Sequence, residues 1–459
     1  MKSLFRWIVL SVFCFLAAGC VVDPSKQTNS NANVSTSPVA AASVSPAANN
    51  EPVAKTQPVT LPVLDAFMAD KAFADLLKSR LQLTDEQITK LKDTARSETI
   101  KLNEANAPAL GEGSSARTTA KEKIKEIIGE EKAKQLEALI AEQWSGDNDG
   151  AAAKSGSINN IPTDSRVVVN APAYRMDVFE SGRLIKSYRI GIGYPQFPLP
   201  TGLRKARVII FNPTWTPPDE PWVAKMKNVS VGEKVEAGSK FNPLGPVKIP
   251  IGGPSLIHGG KPIAKIGTFA SHGCVGLTTP QVHDFAKLLA QLGGASLTDA
   301  EIAAYERNKT ETKEMKLANA VPVELRYETI VVDDGKLHIF RDVYDQETNT
   351  EANLRAVLEA NGVRFEDLGE DVRAQILDAL AQMSGSGLSQ TSSSPSPSAD
   401  KRANPSPTVS PKGATAGKPA PRAVKNKNEI VIEIAGLQGK GYPAPVDLDT
   451  GAGKGKSKK

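Results

Sequence analysis

Ile257-His258-Gly259, followed by Ser271-His272-Gly273-Cys274-Val275, is the stretch from which the fold of this chain follows. It sets a thiol, Cys274, sixteen residues after an imidazole, His258. A thiol with an imidazole in reach is the minimum kit for a cysteine nucleophile. The chain carries 4 His and 3 Cys in 459 residues, and His258, His272 and His283 all fall in the short window around this thiol. A cysteine standing alone is more often a small buried apolar side chain. The clustering of rare residues points instead to catalysis.

The chemistry of the window assigns roles. Cys274 is the candidate nucleophile and His258 its candidate base and acid, with a further group needed to hold the imidazole tautomer. Gly273 lets the backbone come close to a reacting carbonyl because it has no Cβ. The amides of Gly273 and Cys274 are then candidate oxyanion donors. His272 is expected behind the reacting pair or on the oxyanion side, since one base suffices. His283, on an amphipathic run with Val282, Phe285, Leu288 and Leu289, and His338, on a strand, read as structural. Papain-like peptidases place Cys before His, the reverse of the order here, and the caspase Q-A-C run is absent. With no second Cys nearby and no H-x-x-x-H spacing, neither a metal site nor a cofactor is expected. Trp215 and Trp222 either wall a substrate groove or pack beneath a Pro-rich loop.

Outward from this window, the N-terminus sets the address. Lys2 and Arg6 make a basic head, Trp7 to Leu16 an apolar run too short to span a bilayer, and Ala17-Ala18-Gly19-Cys20 a small-residue cleavage site. The last four resemble a bacterial lipobox, although Ala17 stands where Leu is usual. Residues 1–20 are therefore expected to be a lipoprotein signal peptide and Cys20 a lipidation site that anchors the chain to the membrane of the cell envelope. Cys14 would leave with the signal peptide, so Cys274 would remain as a lone thiol in an oxidising compartment, retained for its reactivity. The net charge of +5 demands no nucleic-acid partner.

Composition divides the rest. Residues 21–62, rich in Ser, Asn, Ala and Pro, read as a flexible tether. Residues 63–145 have helical spacing (Phe67, Met68, Leu76, Leu77, Leu81, then Ile124, Ile127, Ile128, Leu136, Leu139, Ile140), with a capping box at Thr84-Asp85-Glu86-Gln87. This module reads as a helical spacer or docking unit. Its Leu83-Thr84-x-x-Gln87 run also resembles the LTxxQ signature of small helical periplasmic stress proteins. Residues 146–163 are a second linker, and 164–328 switch to strand periodicity, with a hairpin at Glu180-Ser181-Gly182-Arg183. Helices are expected there only at Gln281–Leu292 and Asp299–Leu317. A β extension spans 329–346 and a helical segment 350–383. Residues 384–428 read as disordered, and 429–459 as a short strand at Glu429–Ile434 with a basic tail.

Several stretches in order resemble the L,D-transpeptidase (YkuD, ErfK/YbiS-like) catalytic domain. They are Val167-Val168-Val169-Asn170, then Ile190-Gly191-Ile192-Gly193 with Pro200-Thr201-Gly202, and Asn212-Pro213-Thr214-Trp215-Thr216-Pro217-Pro218. Asn242-Pro243-Leu244-Gly245 and the His258 and Cys274 runs complete the series. The resemblance covers about a third of the chain. It implies a multidomain protein whose mainly-β catalytic domain, sandwich- or barrel-like, joins an N-terminal helical module and disordered linkers. It further implies that the carbonyl of Gly259 holds the His258 tautomer. The implied partner is the peptidoglycan stem peptide: Cys274 would form a thioester with it and transfer it to another stem or a protein. An L,D-carboxypeptidase using water, or a non-catalytic peptidoglycan-binding or stress-sensing lipoprotein, are the alternatives. One departure stands out. The family has an apolar residue and then Arg after the cysteine, whereas here the Arg position is Gly276. Lys261, Lys265 or Arg204 are the candidate substitutes.

Overall fold

The computed structural model describes residues 59–102, 112–145, 159–253, 255–384, 423–425 and 428–451. The chain divides into two units, Met1–Ala54 and Lys55–Lys459, and every described residue belongs to the second. The expected signal peptide, Cys20, the tether as far as residue 58, linker residues 146–158, residues 385–422 and the tail beyond 451 lie outside the described residues.

Five helices come first: α1 (Leu61–Met68), α2 (Lys71–Leu81), α3 (Asp85–Lys101), α4 (Glu112–Ile128) and α5 (Glu130–Ser145). Their starts follow local chemistry. Thr60 caps α1 by accepting from the Val63 amide and Pro62 sits in the first turn; Asp70 caps α2. Thr84 and Gln87 form a reciprocal capping box on α3, which accounts physically for two of the fixed positions in the Leu-Thr-x-x-Gln run. Leu64, Leu77, Leu91, Ala95, Leu136 and Ile140 make the buried core of the module. Each buried Leu or Ile contributes about 1.5–3 kcal/mol. Because α1 begins at Leu61, the expected tether ends earlier than residue 62.

The strands of the central region are β1 (Arg166–Asn170), β2 (Arg175–Glu180), β3 (Arg183–Arg189), β4 (Ile192–Gly193) and β5 (Gly202–Phe211). After the short helix α6 (Pro221–Ala224) come β6 (Val247–Pro250), β7 (Leu256–His258), β8 (Phe269–Ser271) and β9 (Val275–Gly276). Helices α7 (Thr279–Leu292) and α8 (Asp299–Arg307) then lead into β10 (Lys313–Arg326). An eight-stranded mixed sheet runs β3-β2-β1-β10-β5-β6-β7-β9, with β4 and β8 paired beside it. Helix α7 covers it with Val282, Phe285, Ala286 and Leu289, all fully buried. The parallel pairing of β7 with β9 matters most here, because it aligns His258 with Gly276.

A second sheet joins β11 (Ile330–Asp333), β12 (Lys336–Phe340), β13 (Ala423–Lys425) and β14 (Glu429–Glu433) in the order β11-β12-β14-β13. Helices α9 (Glu351–Ala360) and α10 (Glu370–Met383) bury Leu354, Val357, Leu358, Ile376 and Leu380 against it.

Three expectations are corrected. The helix expected over Asp299–Leu317 stops at Arg307, and Lys313–Leu317 belongs to β10. The side-chain amide of Asn212 donates to the carbonyls of Tyr305, Asn308 and Glu311, so the open helix end is satisfied from outside the helix. Beyond it, Lys313 to Lys316 pair with Phe211 to Val208. Within the stretch expected to be disordered, Ala423–Lys425 forms a strand against β14. The segment after β14 is not a plain tail either. The Val446 and Asp449 carbonyls accept the Ser187 and Arg189 amides, covering the outer edge of β3, and Tyr442 packs on Phe179.

Candidate active site

Cys274 leaves β8 through a turn held by one hydroxyl. Ser271 Oγ donates to the Cys274 carbonyl at 2.6 Å and accepts its amide at 3.0 Å. Gly273 within this turn has φ +93°, a conformation that L side chains rarely adopt. Gly193 on β4 passes close beneath: a Cβ there would lie 2.1 Å from the Phe197 carbonyl oxygen and 3.1 Å from Gly273 Cα. The Cys274 amide, an expected oxyanion donor, lies in this turn. That amide is already engaged, and an oxyanion would compete with the Ser271 hydroxyl for it.

His258 ends β7, is buried, and its Nδ1–H donates to the Gly259 carbonyl at 2.9 Å. This places the proton on Nδ1 and leaves the Nε2 lone pair as the basic position. Burial pushes the imidazole down to about 3, and the Lys261 charge adds to this, against the pull of the Gly259 and Leu244 carbonyls. Burial likewise pushes the Cys274 thiol up, while a backbone hydrogen bond at Leu256 and the Lys261 charge oppose. Both shifts favour the uncharged pair at rest.

His258 and Cys274 line one cleft of about 640 Å³. His272 lines it too, but as part of an aromatic wall. Its ring stacks on Trp222 at 4.6 Å between centroids and meets Phe197 and Tyr194 edgewise at 4.9 and 5.3 Å. Trp215 stacks behind Trp222, and both tryptophans line the cleft. Burial first, then Lys261, pushes His272 down to about 3. His283 instead faces Glu306 at 3.5 Å, and His338 faces Glu429 at 2.7 Å on β12; neither lines the cleft. Among the described residues no three His, Cys, Asp or Glu side chains come together as a metal site requires.

Of the three cations considered for the Gly276 position, Lys261 alone lines the cleft. Arg204 is buried on β5, its Nη1 donating to the Gly252 carbonyl at 3.3 Å, and burial lowers it to about 10.

Sequence reasoning missed two features. The first is that the helical module forms part of the cleft: Val63, Ala66, Phe67, Thr99, Leu102 and Trp144 line it opposite the thiol's own domain. Thr60 donates to the Gln196 carbonyl at 2.6 Å, and Arg96 bridges Asp65 at 2.9 Å and Asp219 at 3.0 Å. The second is Glu220, buried in the cleft and accepting from Trp222 Nε1 at 2.6 Å. Burial pushes its carboxyl up to about 7; Asp65 and Asp219 raise it further, and the Trp222 hydrogen bond and Arg96 lower it. Glu220-Pro221-Trp222 gives no local signal of this, because Asp65 and Arg96, whose charges bear on it, lie more than a hundred residues earlier in the sequence.

Residues 164–312 match the YkuD family model, described as the L,D-transpeptidase catalytic domain. The chain therefore carries an L,D-transpeptidase-type catalytic domain spanning β1 to α8. No curated protein matches the chain. Among solved structures, the chain is similar to the Ldtfm-avibactam carbamoyl enzyme at 14% identity, covering 36% of this chain and 49% of that one (TM-score 0.23). It is similar to the catalytic domain from the E. faecium L,D-transpeptidase at 15% identity, covering 36% and 100% (TM-score 0.24). It is similar to the L,D-transpeptidase from Mycobacterium smegmatis at 14% identity, covering 36% and 58% (TM-score 0.20). The chain spans about half the length of the first of these.

Proposed function

We propose that this protein is a peptidoglycan L,D-transpeptidase that works through a thioester on Cys274. In this reading Cys274 attacks the carbonyl of the third, diamino-acid residue of a tetrapeptide stem and releases the terminal D-Ala. An amine of a second stem or of a protein resolves the thioester; water at the same site would make it an L,D-carboxypeptidase. The carrying observation is the pair itself. An imidazole with Nδ1 tied to the Gly259 carbonyl shares one cleft with the lone thiol of the described residues.

The electrostatics constrain how the pair works. With the thiol raised and the imidazole lowered, a standing thiolate–imidazolium pair is disfavoured. The proton passes from Sγ to Nε2 as the sulfur attacks, and returns from the imidazolium to the departing amine. Lys261 favours thiolate and disfavours imidazolium, so it lowers the nucleophile's cost while sharpening the acid that protonates the leaving group.

The N-terminal reading belongs to the same proposal. Diacylation of Cys20 would tether the enzyme to a membrane of the cell envelope, beside its polymer substrate. Conversion of Cys20→Ser should move the protein from detergent phase to aqueous phase or leave the precursor uncleaved. Wild type found in the aqueous phase with another N-terminus contradicts the anchor. For the activity, purified protein incubated with tetrapeptide muropeptides should release D-Ala; no release from well-folded protein would favour a non-catalytic binding protein.

A further inference from the structure

Glu220 is the one carboxylate among the described residues lining the cleft with Cys274. Trp222 Nε1–H fixes its Oε2, and the Trp222 ring stacks on His272, two residues from the thiol. Its charge reaches Cys274 and opposes ionisation of the thiol. Asp65 from α1, Arg96 from α3 and Asp219 from its own loop face it, while Tyr194, Lys225, His258, Lys261, His272 and Cys274 are the other ionisable groups of the lining.

This placement answers a need of the second half of the reaction. A primary amine reaches the site as an ammonium at neutral pH. It must lose one proton before it attacks the thioester and another as the amide forms. One imidazole, held at low basicity by burial, serves the thiol poorly as a partner for both. A buried carboxylate lining the cleft suits an ammonium on electrostatic grounds.

Resting on the acyl-transfer reading of Cys274, we infer that Glu220 binds the acceptor ammonium and takes its first proton. The Glu220 carboxylate becomes a carboxylic acid and the ammonium a neutral amine. The amine nitrogen then bonds to the thioester carbonyl carbon, and the C–S bond breaks with its electron pair on sulfur. The second amine proton passes through His258 to the thiolate, restoring the Cys274 thiol, and Glu220 returns its proton to solvent. Its basicity near 7 suits this task at neutral pH. The acceptor class is thus a primary amine, and the helical module forms part of the cleft that it enters.

The test is the ratio of amide product to hydrolysis product from a tetrapeptide donor. Both products come from one acyl-enzyme, so the ratio is blind to any fall in acylation rate. Acceptors are a second tetrapeptide stem in one arm and Nα-acetyl-lysine amide in the other, which separates a stem amine from a protein-type amine. E220Q should lower the ratio about a hundredfold and abolish the limb near pH 7 in the transfer profile, with E220D recovering part of both. An unchanged ratio and profile in E220Q overturns the inference. If wild type forms no acyl-enzyme at all, the acyl-transfer reading fails and the Glu220 role falls with it.

Discussion

Lys261 lies across Gly276: a Cβ built on Gly276 would meet Lys261 Cγ at 2.8 Å, Cε at 3.1 Å and Cδ at 3.4 Å. The lysine stem occupies the space into which an Arg at 276 would start, and its charge bears on Cys274, His258 and His272. In the proposed reaction Lys261 would hold the carboxylate of the donor's terminal residue. Lys261→Met should raise the Michaelis constant for a tetrapeptide about tenfold or more, since a charge-assisted hydrogen bond is worth about 1.5–3 kcal/mol. An amidated donor should show no such difference. Gly276→Arg should obstruct rather than help, and improved donor binding in that variant would mean the site had lost its clamp outright.

The free thiol should behave as a raised one. Alkylation of Cys274 by iodoacetamide should accelerate only above the ordinary thiol range, because burial disfavours the thiolate. Lys261→Met should move that limb further up, as it removes a charge that favours the thiolate. A limb near pH 5–7 would reveal a standing thiolate–imidazolium pair and contradict the proton order given above.

Arg96 on α3 clasps the helical module to the Trp loop through Asp219 and, within the module, pairs with Asp65 of α1, whose side chain is fully buried. Arg96→Ala leaves Asp65 without its cation, and breaking such a pair costs about 3–5 kcal/mol. Burial already raises Asp65, so protonation relieves the loss. The destabilisation, measured by denaturant melts, should therefore be larger at pH 8 than at pH 5. Arg96→Ala with Asp65→Asn should recover part of it. Equal losses at both pH values would mean Asp65 carries no charge in the fold.

Glu220 makes its own mark on stability. Its folded carboxyl is raised to about 7 from 4.5, so the folded protein holds a proton that the unfolded chain has lost between these values. Stability should fall as pH rises through that window and level off above it. The difference is on the order of 3 kcal/mol at 1.36 kcal/mol per pKa unit. Glu220→Gln should be flat across the window and the more stable protein at pH 8. A wild type and variant that melt in parallel would place Glu220 in contact with solvent.

Much of this was readable in the chain because the signals are local. The Thr84 and Gln87 capping box and the Ser181-Gly182 turn depend on neighbours within a few residues. What was not readable is set by distant partners. Lys313–Leu317 fits either period, and β5 decides it. Ala423–Lys425 has no strand character without β14, and Val446 to Asp449 are ordered by the open edge of β3. Glu220 looks like a surface charge until the fold buries it within reach of the Asp65 and Arg96 charges. At the site, Cys274 and His258 were legible as rare residues in a short window, while the wall opposite them was not.

The most direct measurement is intact-protein mass spectrometry after incubation with a carbapenem, whose strained β-lactam carbonyl stands in for the acyl donor. One drug equivalent should add to wild type, none to Cys274→Ala, and far less to His258→Ala over the same interval. The His283→Ala variant should label as wild type does. No adduct on folded wild type, or an adduct that persists in Cys274→Ala, would contradict the assignment of Cys274 as the nucleophile.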